Sequence, residues 1–231
     1  MTTDGRSAEL RAVLFDLDGT VVDSEPLWAN AMRMIAADLG GTLTEEVLAR
    51  TTGLSVPASV DLMLAELGSD LSRHEATRQL LERTAEVFAD ELMWQPGAQE
   101  LIDALRAEGV TTALVTSSPR VVVDVAMQRL GAHRFDLSVC GDEVSAAKPD
   151  PTPYLVAMQR LGRPAADCLA VEDSPSGTVA AVAAGIPVLV VPSEVPVPEG
   201  PGRIFAASLL AATVDELRHI HHAFHRADRG A

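Results

Sequence analysis

The chain has 231 residues, 47% of them hydrophobic, with a formal net charge of −15 at neutral pH. That apolar content suffices for a packed core and excludes a disordered chain. The acidic balance, with no basic cluster to offset it, excludes a nucleic-acid or anionic-membrane surface as partner. The first predicted element is a short buried strand, Ala12 to Phe15, which delivers Asp16 and Asp18 into a turn at Gly19. Alternate strand residues share a face, and Gly19 breaks the strand, so the second carboxylate can swing over the first. One acid can then attack an electrophile while its neighbour handles protons, and both can help hold a divalent cation. Taken alone the motif is also compatible with a surface Asp-Gly turn.

Residues 24–94 carry helical rather than strand periodicity. Trp28, Ala31, Met32, Ile35 and Leu39 recur at helical spacing up to Gly40 and Gly41. Thr44 suits the cap of a second helix, with Glu45 and Glu46 in its first turn. Val60, Leu64 and Leu67 mark a third, closed by Gly68. Ser72 and Glu75 have capping-box spacing ahead of a fourth, which carries Leu81, Phe88 and Leu92, and Pro96-Gly97 ends the segment.

From Ala98 onward helix and strand alternate. The pattern predicts a helix to Gly109, then strand 111–116, helix 119–131, strand 136–140, helix 151–162, strand 167–172, helix 175–185 and strand 186–191. Such alternation predicts a parallel sheet with helices on both faces. Pro192 to Gly202 holds four prolines and reads as a surface loop. A final helix is expected from near Thr213, and His219, His221, His222 and His225 read as its frayed polar end rather than as a metal site. The expected architecture is therefore α/β: a Rossmann-like, doubly wound parallel sheet core, residues 1–23 and 95–231, with an inserted α-helical cap domain, residues 24–94.

Four apolar runs lead into polar clusters: Asp16 and Asp18; Thr116, Ser117 and Ser118; Lys148 in Ala147 to Pro151; and Glu172, Asp173 and Ser174. In an open parallel sheet, ligands bind beyond the carboxyl ends of the strands, so these clusters are expected to meet in one crevice. Of 18 basic residues, 17 are Arg, and the single Lys, Lys148, falls inside the third cluster. A compact ammonium suits a place where a planar guanidinium does not fit.

An aspartate pair, a hydroxyl, a lysine and a second acidic pair, in that order over residues 11–191, resemble the haloacid dehalogenase superfamily. The resemblance implies that Asp16 is the nucleophile, forming an aspartyl-phosphate, and that Asp18 is the acid and base. It implies Mg²⁺ as cofactor, held by Asp16, the main-chain carbonyl of Asp18 and Asp173, with Glu172 bound directly or through water. Thr116, with amides of the turn at Ser117, would take the phosphoryl oxygens, and Lys148 would neutralise them and orient Asp16. Thr20 equally fits a turn hydroxyl bonded to backbone, Ser117 or Ser118 suits a helix cap before Pro119, and Arg120 reads as a solvated helix residue. Glu25 fits either a contact with substrate on the hinge side or a helix N-terminal carboxylate.

Within that superfamily the residues separate the reactions. Its dehalogenases lack an acid at the place of Asp18, and its phosphonate-cleaving members need a lysine that residues 24–94 do not contain. The β-phosphoglucomutases share the motifs, but basic residues flank the glycine of their cap loop, whereas Leu54, Ser55, Val56, Pro57 and Ala58 follow Gly53 here. The segment Asp23 to Trp28 and the Thr-Gly-Leu of that loop look closest to bacterial sugar-phosphate phosphatases. The expectation is hydrolysis of a small phosphorylated metabolite, with a mutase as alternative. A non-catalytic binding protein is disfavoured because no catalytic residue is missing. No apolar window is long enough to span a membrane, and Asp4, Arg6, Glu9 and Arg11 interrupt any leader-like stretch near Met1. Cys140 and Cys168 read as buried reduced thiols. A cytoplasmic monomer is expected.

Overall fold

The computed structural model describes residues 9–192 and 195–228. Its frame is a six-stranded, all-parallel sheet: β1 (Ala12–Phe15), β2 (Thr111–Val115), β3 (Leu137–Val139), β4 (Cys168–Glu172), β5 (Val188–Val190) and β6 (Arg203–Phe205), in the order β3-β2-β1-β4-β5-β6. β1 lies between β2 and β4, so the strand order reverses direction beside it. That reversal opens a crevice at the carboxyl ends of β1 and β4.

Strand alternation divides the core into two layers. Val13 and Phe15 of β1 join Leu114, Leu169, Val171 and Leu189 on one face, while Ala12 and Leu14 join Ala113, Val115, Ala170 and Val188 on the other. The first layer is closed by the helices Ala98–Ala107, Arg120–Leu130 and Val214–Asp228, through Ile102, Val123 and Leu217 among others. The second is closed by Thr152–Leu161 and Pro175–Ala183. There the alanines of three neighbouring strands leave depth for the large side chains Tyr154 and Met158.

Between β1 and the helix Ala98–Ala107 stand four helices with an apolar cluster of their own: α1 (Glu25–Asp38), α2 (Glu45–Ala49), α3 (Val56–Leu67) and α4 (Arg73–Glu91). Thr44 Oγ1 caps α2 by accepting from Val47 N, and Ser72 Oγ caps α4 by accepting from Glu75 N. Gly68 closes α3 at φ 58°. The insert is joined to the sheet side through Trp28 of α1 and Phe88 of α4, whose rings meet edge to face at 6.0 Å. From here the helices Ala98–Ala107, Arg120–Leu130, Thr152–Leu161, Pro175–Ala183 and Val214–Asp228 are α5 to α9.

The structure departs from the sequence reading at a few places. Leu39 follows the end of α1 and is exposed, and Leu80 rather than Leu81 is the buried leucine of α4. β6 was not expected: as an edge strand of three partly exposed residues, it carries no alternating apolar signal. Arg120 is not a free helix residue. It donates from its backbone to Asp142 Oδ1 and from its guanidinium to Glu143 Oε1 and Ser138 Oγ, tying the start of α6 to the turn after β3. Among the described residues no helix is long and apolar enough to cross a membrane. Both cysteines are free and buried, and burial pushes each thiol up to about 12.

His221 corrects the reading of a frayed helix end. It is fully buried, with Nε2 2.9 Å from the Ala166 carbonyl and its ring 4.6 Å from that of His225. Burial, reinforced by His225, lowers it to about 4, although the Ala166 carbonyl works the other way. A histidine lowered in the folded state takes its proton first in the unfolded chain. Its contribution is therefore intact above the ordinary value of 6.5 and is lost as pH falls from there to about 4. The loss is at most about 3 kcal/mol. Thermal melts at pH 7 and pH 5 should show a larger drop for the wild type than for His221→Leu, and equal drops would remove His221 from acid sensitivity.

Candidate active site

Asp16 is the first residue beyond β1, and its amide continues the ladder to the Val171 carbonyl at 3.0 Å. Asp18 follows inside a turn in which Gly19 takes φ 80°, a conformation that side chains disfavour, and Gly19 N bonds back to the Val22 carbonyl. The chain thus leaves the sheet, curls, and enters α1 with both carboxylates still at the crevice.

Asp18 is half-buried and accepts four side-chain hydrogen bonds. Oδ1 receives Ser24 Oγ at 2.7 Å and Trp28 Nε1 at 3.0 Å, both from the entry to α1. Oδ2 receives Ser118 Oγ at 2.6 Å and Thr116 Oγ1 at 3.3 Å, from the end of β2. Thr116 Oγ1 in turn accepts from Ser118 N at 2.9 Å, so the loop after β2 is folded around its own hydroxyl. That fold needs Gly141, because a Cβ there would lie 2.2 Å from the Ser117 carbonyl oxygen.

Lys148 joins the remaining elements. Its ammonium, 2% exposed, lies 2.5 Å from Asp16 Oδ1 and 2.6 Å from Glu172 Oε1. Glu172 ends β4 fully buried, and also accepts Tyr154 OH at 2.6 Å and Ser174 Oγ at 3.1 Å. Ser174 Oγ meanwhile caps α8 by accepting from Gly177 N. Asp173 accepts Thr20 Oγ1 at 3.2 Å, which places Thr20 in the site rather than on turn backbone alone.

Six of the eight expected site residues therefore share one crevice: Asp16, Asp18, Thr116, Lys148, Glu172 and Asp173. The Ser117 side chain is exposed, and Ser118 takes the contact with Asp18, while Pro119 occupies the cap position of α6. Glu25 opens α1 half-buried, consistent with a carboxylate at a helix N-terminus. Ser24, Trp28, Ser118 and Tyr154 were missed as site residues.

Ligand oxygens of Asp16, Glu172 and Asp173 all lie within 4.8 Å of one another, and all three residues are buried. Burial pushes Asp16 well above the ordinary carboxylate range. Lys148 pulls it back, and Glu172, Asp173 and Asp18 push it up again. Burial acts to lower Lys148, but Asp16 and Glu172 outweigh it and hold the ammonium charged. One ammonium among four carboxylates leaves excess negative charge, and an all-oxygen donor set of this kind fits a hard divalent cation such as Mg²⁺.

A family model described as haloacid dehalogenase-like hydrolase matches residues 13–191, most of the chain and all four clusters. The chain belongs to that family. Relatives of this haloacid dehalogenase-like hydrolase include a phosphorylated carbohydrates phosphatase of Thermotoga maritima, 33% identical over 77% of this chain and 82% of the relative. Hexitol phosphatase B of Escherichia coli is 28% identical over 90% and 95% of the two chains. Among solved structures, CbbY from Rhodobacter sphaeroides in complex with phosphate superposes with a TM-score of 0.77 at 26% identity, covering 90% of this chain and 99% of that one. A mutant of that CbbY is known in complex with xylulose-(1,5)bisphosphate.

Proposed function

We propose that the protein is a Mg²⁺-dependent phosphatase of small phosphate monoesters, sugar phosphates foremost, working through an aspartyl-phosphate on Asp16. The observation that carries this is the Lys148 ammonium bridging Asp16 and Glu172 beside the Asp16–Glu172–Asp173 cluster, with a second carboxylate, Asp18, across the turn. The phosphatases of phosphorylated carbohydrates and hexitols among the relatives support the substrate class.

A phosphoryl group brought to Asp16 is attacked by a carboxylate oxygen, forming an acyl phosphate as the bond to the sugar oxygen breaks. Asp18 gives its proton to that leaving oxygen, then takes one from the water that attacks phosphorus, releasing orthophosphate and restoring Asp16. Lys148 and Thr116 hold the phosphoryl oxygens. Asp16, Asp173 and the Asp18 carbonyl would hold Mg²⁺, with Glu172 direct or through water. When bound, the cation supplies the positive charge that lets a phosphate dianion approach a buried carboxylate. For Asp18 to act, its hydrogen bonds to Ser24 and Trp28 must exchange for one to the leaving group, which ties the chemistry to the entry of the helical insert. We take that insert as a cap over the crevice, limiting substrates to small molecules. Asp18→Asn is expected to lower both phosphorylation and dephosphorylation rates by at least about 10²-fold, read by rapid-quench kinetics. Unchanged rates would remove Asp18 from proton transfer.

The mutase alternative needs cations for a second phosphate. The insert has no lysine, and of its five arginines, Arg33 pairs with Glu45, Arg73 with Asp61, Arg78 with Glu75 and Glu82, and Arg83 with Glu86 and Asp38. Only Arg50 lacks such a pair among the described residues. Arg50 precedes Gly53 and no basic residue follows it from Leu54 to Ala58, so one unpaired insert arginine stands where a second phosphate needs cations on both sides, and hydrolysis is the better reading.

The test is orthophosphate release from a panel of hexose, hexitol and pentulose phosphates, with a bisphosphate included, in Mg²⁺ and then in EDTA. Release should fall by at least about 10²-fold in EDTA and return with added Mg²⁺. Release that ignores EDTA would overturn the metal dependence, and no release from any monoester would overturn the phosphatase.

A further inference from the structure

Tyr154 takes no part in the chemistry above, yet it is the chain's one tyrosine and lies fully buried against the charged centre. Its hydroxyl donates to Glu172 Oε1 at 2.6 Å, and Lys148 Nζ stands 5.3 Å from the centroid of its ring. We infer that Tyr154 is a positioning residue for the phosphoryl transfer: it fixes Glu172, and through Glu172 and its own ring it sets the Lys148 ammonium against Asp16. This rests on the phosphatase reading of the site.

The ammonium divides its donors among several partners. Lys148 has three donor protons. Asp16 Oδ1 and Glu172 Oε1 take two, leaving one for a phosphoryl oxygen arriving at Asp16. Asp16 and Glu172 compete for the same cation, and Glu172 has the advantage of complete burial, where an ion pair is strongest. Tyr154 offsets that advantage twice. Its hydroxyl loads the same oxygen that Lys148 uses, which weakens the pull of Glu172, and its ring face gives the ammonium a second resting surface.

Glu172 cannot escape by turning. Its Oε2 accepts Ser174 Oγ at 3.1 Å, and the α8 backbone at Gly177 approaches so closely that a Cβ there would lie 1.9 Å from Glu172 Oε1. The carboxylate is thus clamped, and what remains adjustable is the Lys148 ammonium. Tyr154 lies in the first turn of α7 and Lys148 just before that helix, so one short stretch of chain carries both the cation and its support.

A tyrosine buried only for packing would lose stability on truncation without altering turnover. Tyr154→Phe keeps the ring and removes the shared hydrogen bond. On a sugar phosphate that the wild type hydrolyses, kcat should fall about tenfold while KM stays within about twofold, because a displaced ammonium misaligns Asp16 for attack on phosphorus and leaves the grip on the sugar unchanged. Since the chain has one tyrosine, labelling with ¹³C at tyrosine Cζ gives a single NMR signal, and it should shift when Mg²⁺ is added to the wild type and again with orthophosphate. A Phe variant with wild-type kcat overturns the inference, as does a kcat loss matched by an equal rise in KM. Should the Phe variant fail to fold, a wild-type signal unmoved by both Mg²⁺ and orthophosphate overturns it. A wild type that releases no phosphate from any monoester fails the phosphatase reading instead, and the labelled signal still tests the coupling of Tyr154 to the site.

Discussion

Replacing Asp16 by Asn is expected to lower kcat for orthophosphate release by at least about 10³-fold, while the melting temperature moves by no more than about 3 °C. The carboxamide has the shape of the carboxylate, so no cavity opens and Phe15 and Leu17 beside it keep their packing. Lys148 keeps Glu172 as its charged partner and finds an acceptor in the amide oxygen. The variant removes one of four crowded acids, which relieves the repulsion that pushes Asp16 up. What it cannot do is attack phosphorus, because an amide oxygen is a poor nucleophile at neutral pH. Phosphate release under saturating substrate and Mg²⁺, alongside a thermal melt and a search for acid-stable, hydroxylamine-labile phosphoenzyme, checks the expectation. Turnover near that of the wild type would require another nucleophile; among the described residues the other carboxylate bonded to Lys148 is Glu172, which Tyr154 and Ser174 hold in place.

The site was legible where chemistry sits at strand ends. Asp16, Thr116, Glu172 and Asp173 each stand at or just beyond the end of an apolar run, with Lys148 in the loop that follows β3, and parallel topology brings strand ends together. Contacts that depend on loop shape were not legible. Ser117 and Ser118 differ by one residue, and only the fold of that loop around the Thr116 hydroxyl decides which of them meets Asp18. Ser24 and Trp28 reach Asp18 because the chain doubles back after Gly19, a geometry that helical spacing in α1 does not encode. Tyr154 was hidden because a tyrosine among Ala157 and Met158 reads as core, as it also is. Its being the only tyrosine, six residues from the only lysine, was the one available signal.

The fold was legible for the same reason, and failed at the margins. Buried strands in parallel sheets are continuous apolar runs, which is why β1, β2 and β4 stand close to where they were expected. β6 is different: Arg203, Ile204 and Phe205 border the sheet with partial exposure, so burial imposes no pattern on them. His221 misled because four histidines within seven residues look polar, whereas the helix phase turns only one of them fully inward.

Lys148 tests whether the crevice needs a charge or a particular cation. Lys148→Arg keeps the charge, yet kcat is expected to fall by at least about 10²-fold. The ammonium bonds two carboxylates at 2.5 and 2.6 Å over the face of a buried ring, and a planar guanidinium, wider than an ammonium, has no room to lie between them. Lys148→Met keeps the approximate volume and discards the charge, leaving Asp16, Glu172 and Asp173 buried without an ammonium. Removing one partner of such a buried pair costs about 3–5 kcal/mol, so this variant should melt well below the wild type, by on the order of 10 °C. Because the lost charge is what a divalent cation can supply, Mg²⁺ should restore more of the melting temperature in Lys148→Met than it adds to the wild type, while phosphate release stays low in both variants. Arg at full turnover would show that any cation suffices, and Met at full stability without Mg²⁺ would show that the acids hold their protons and need no counter-charge.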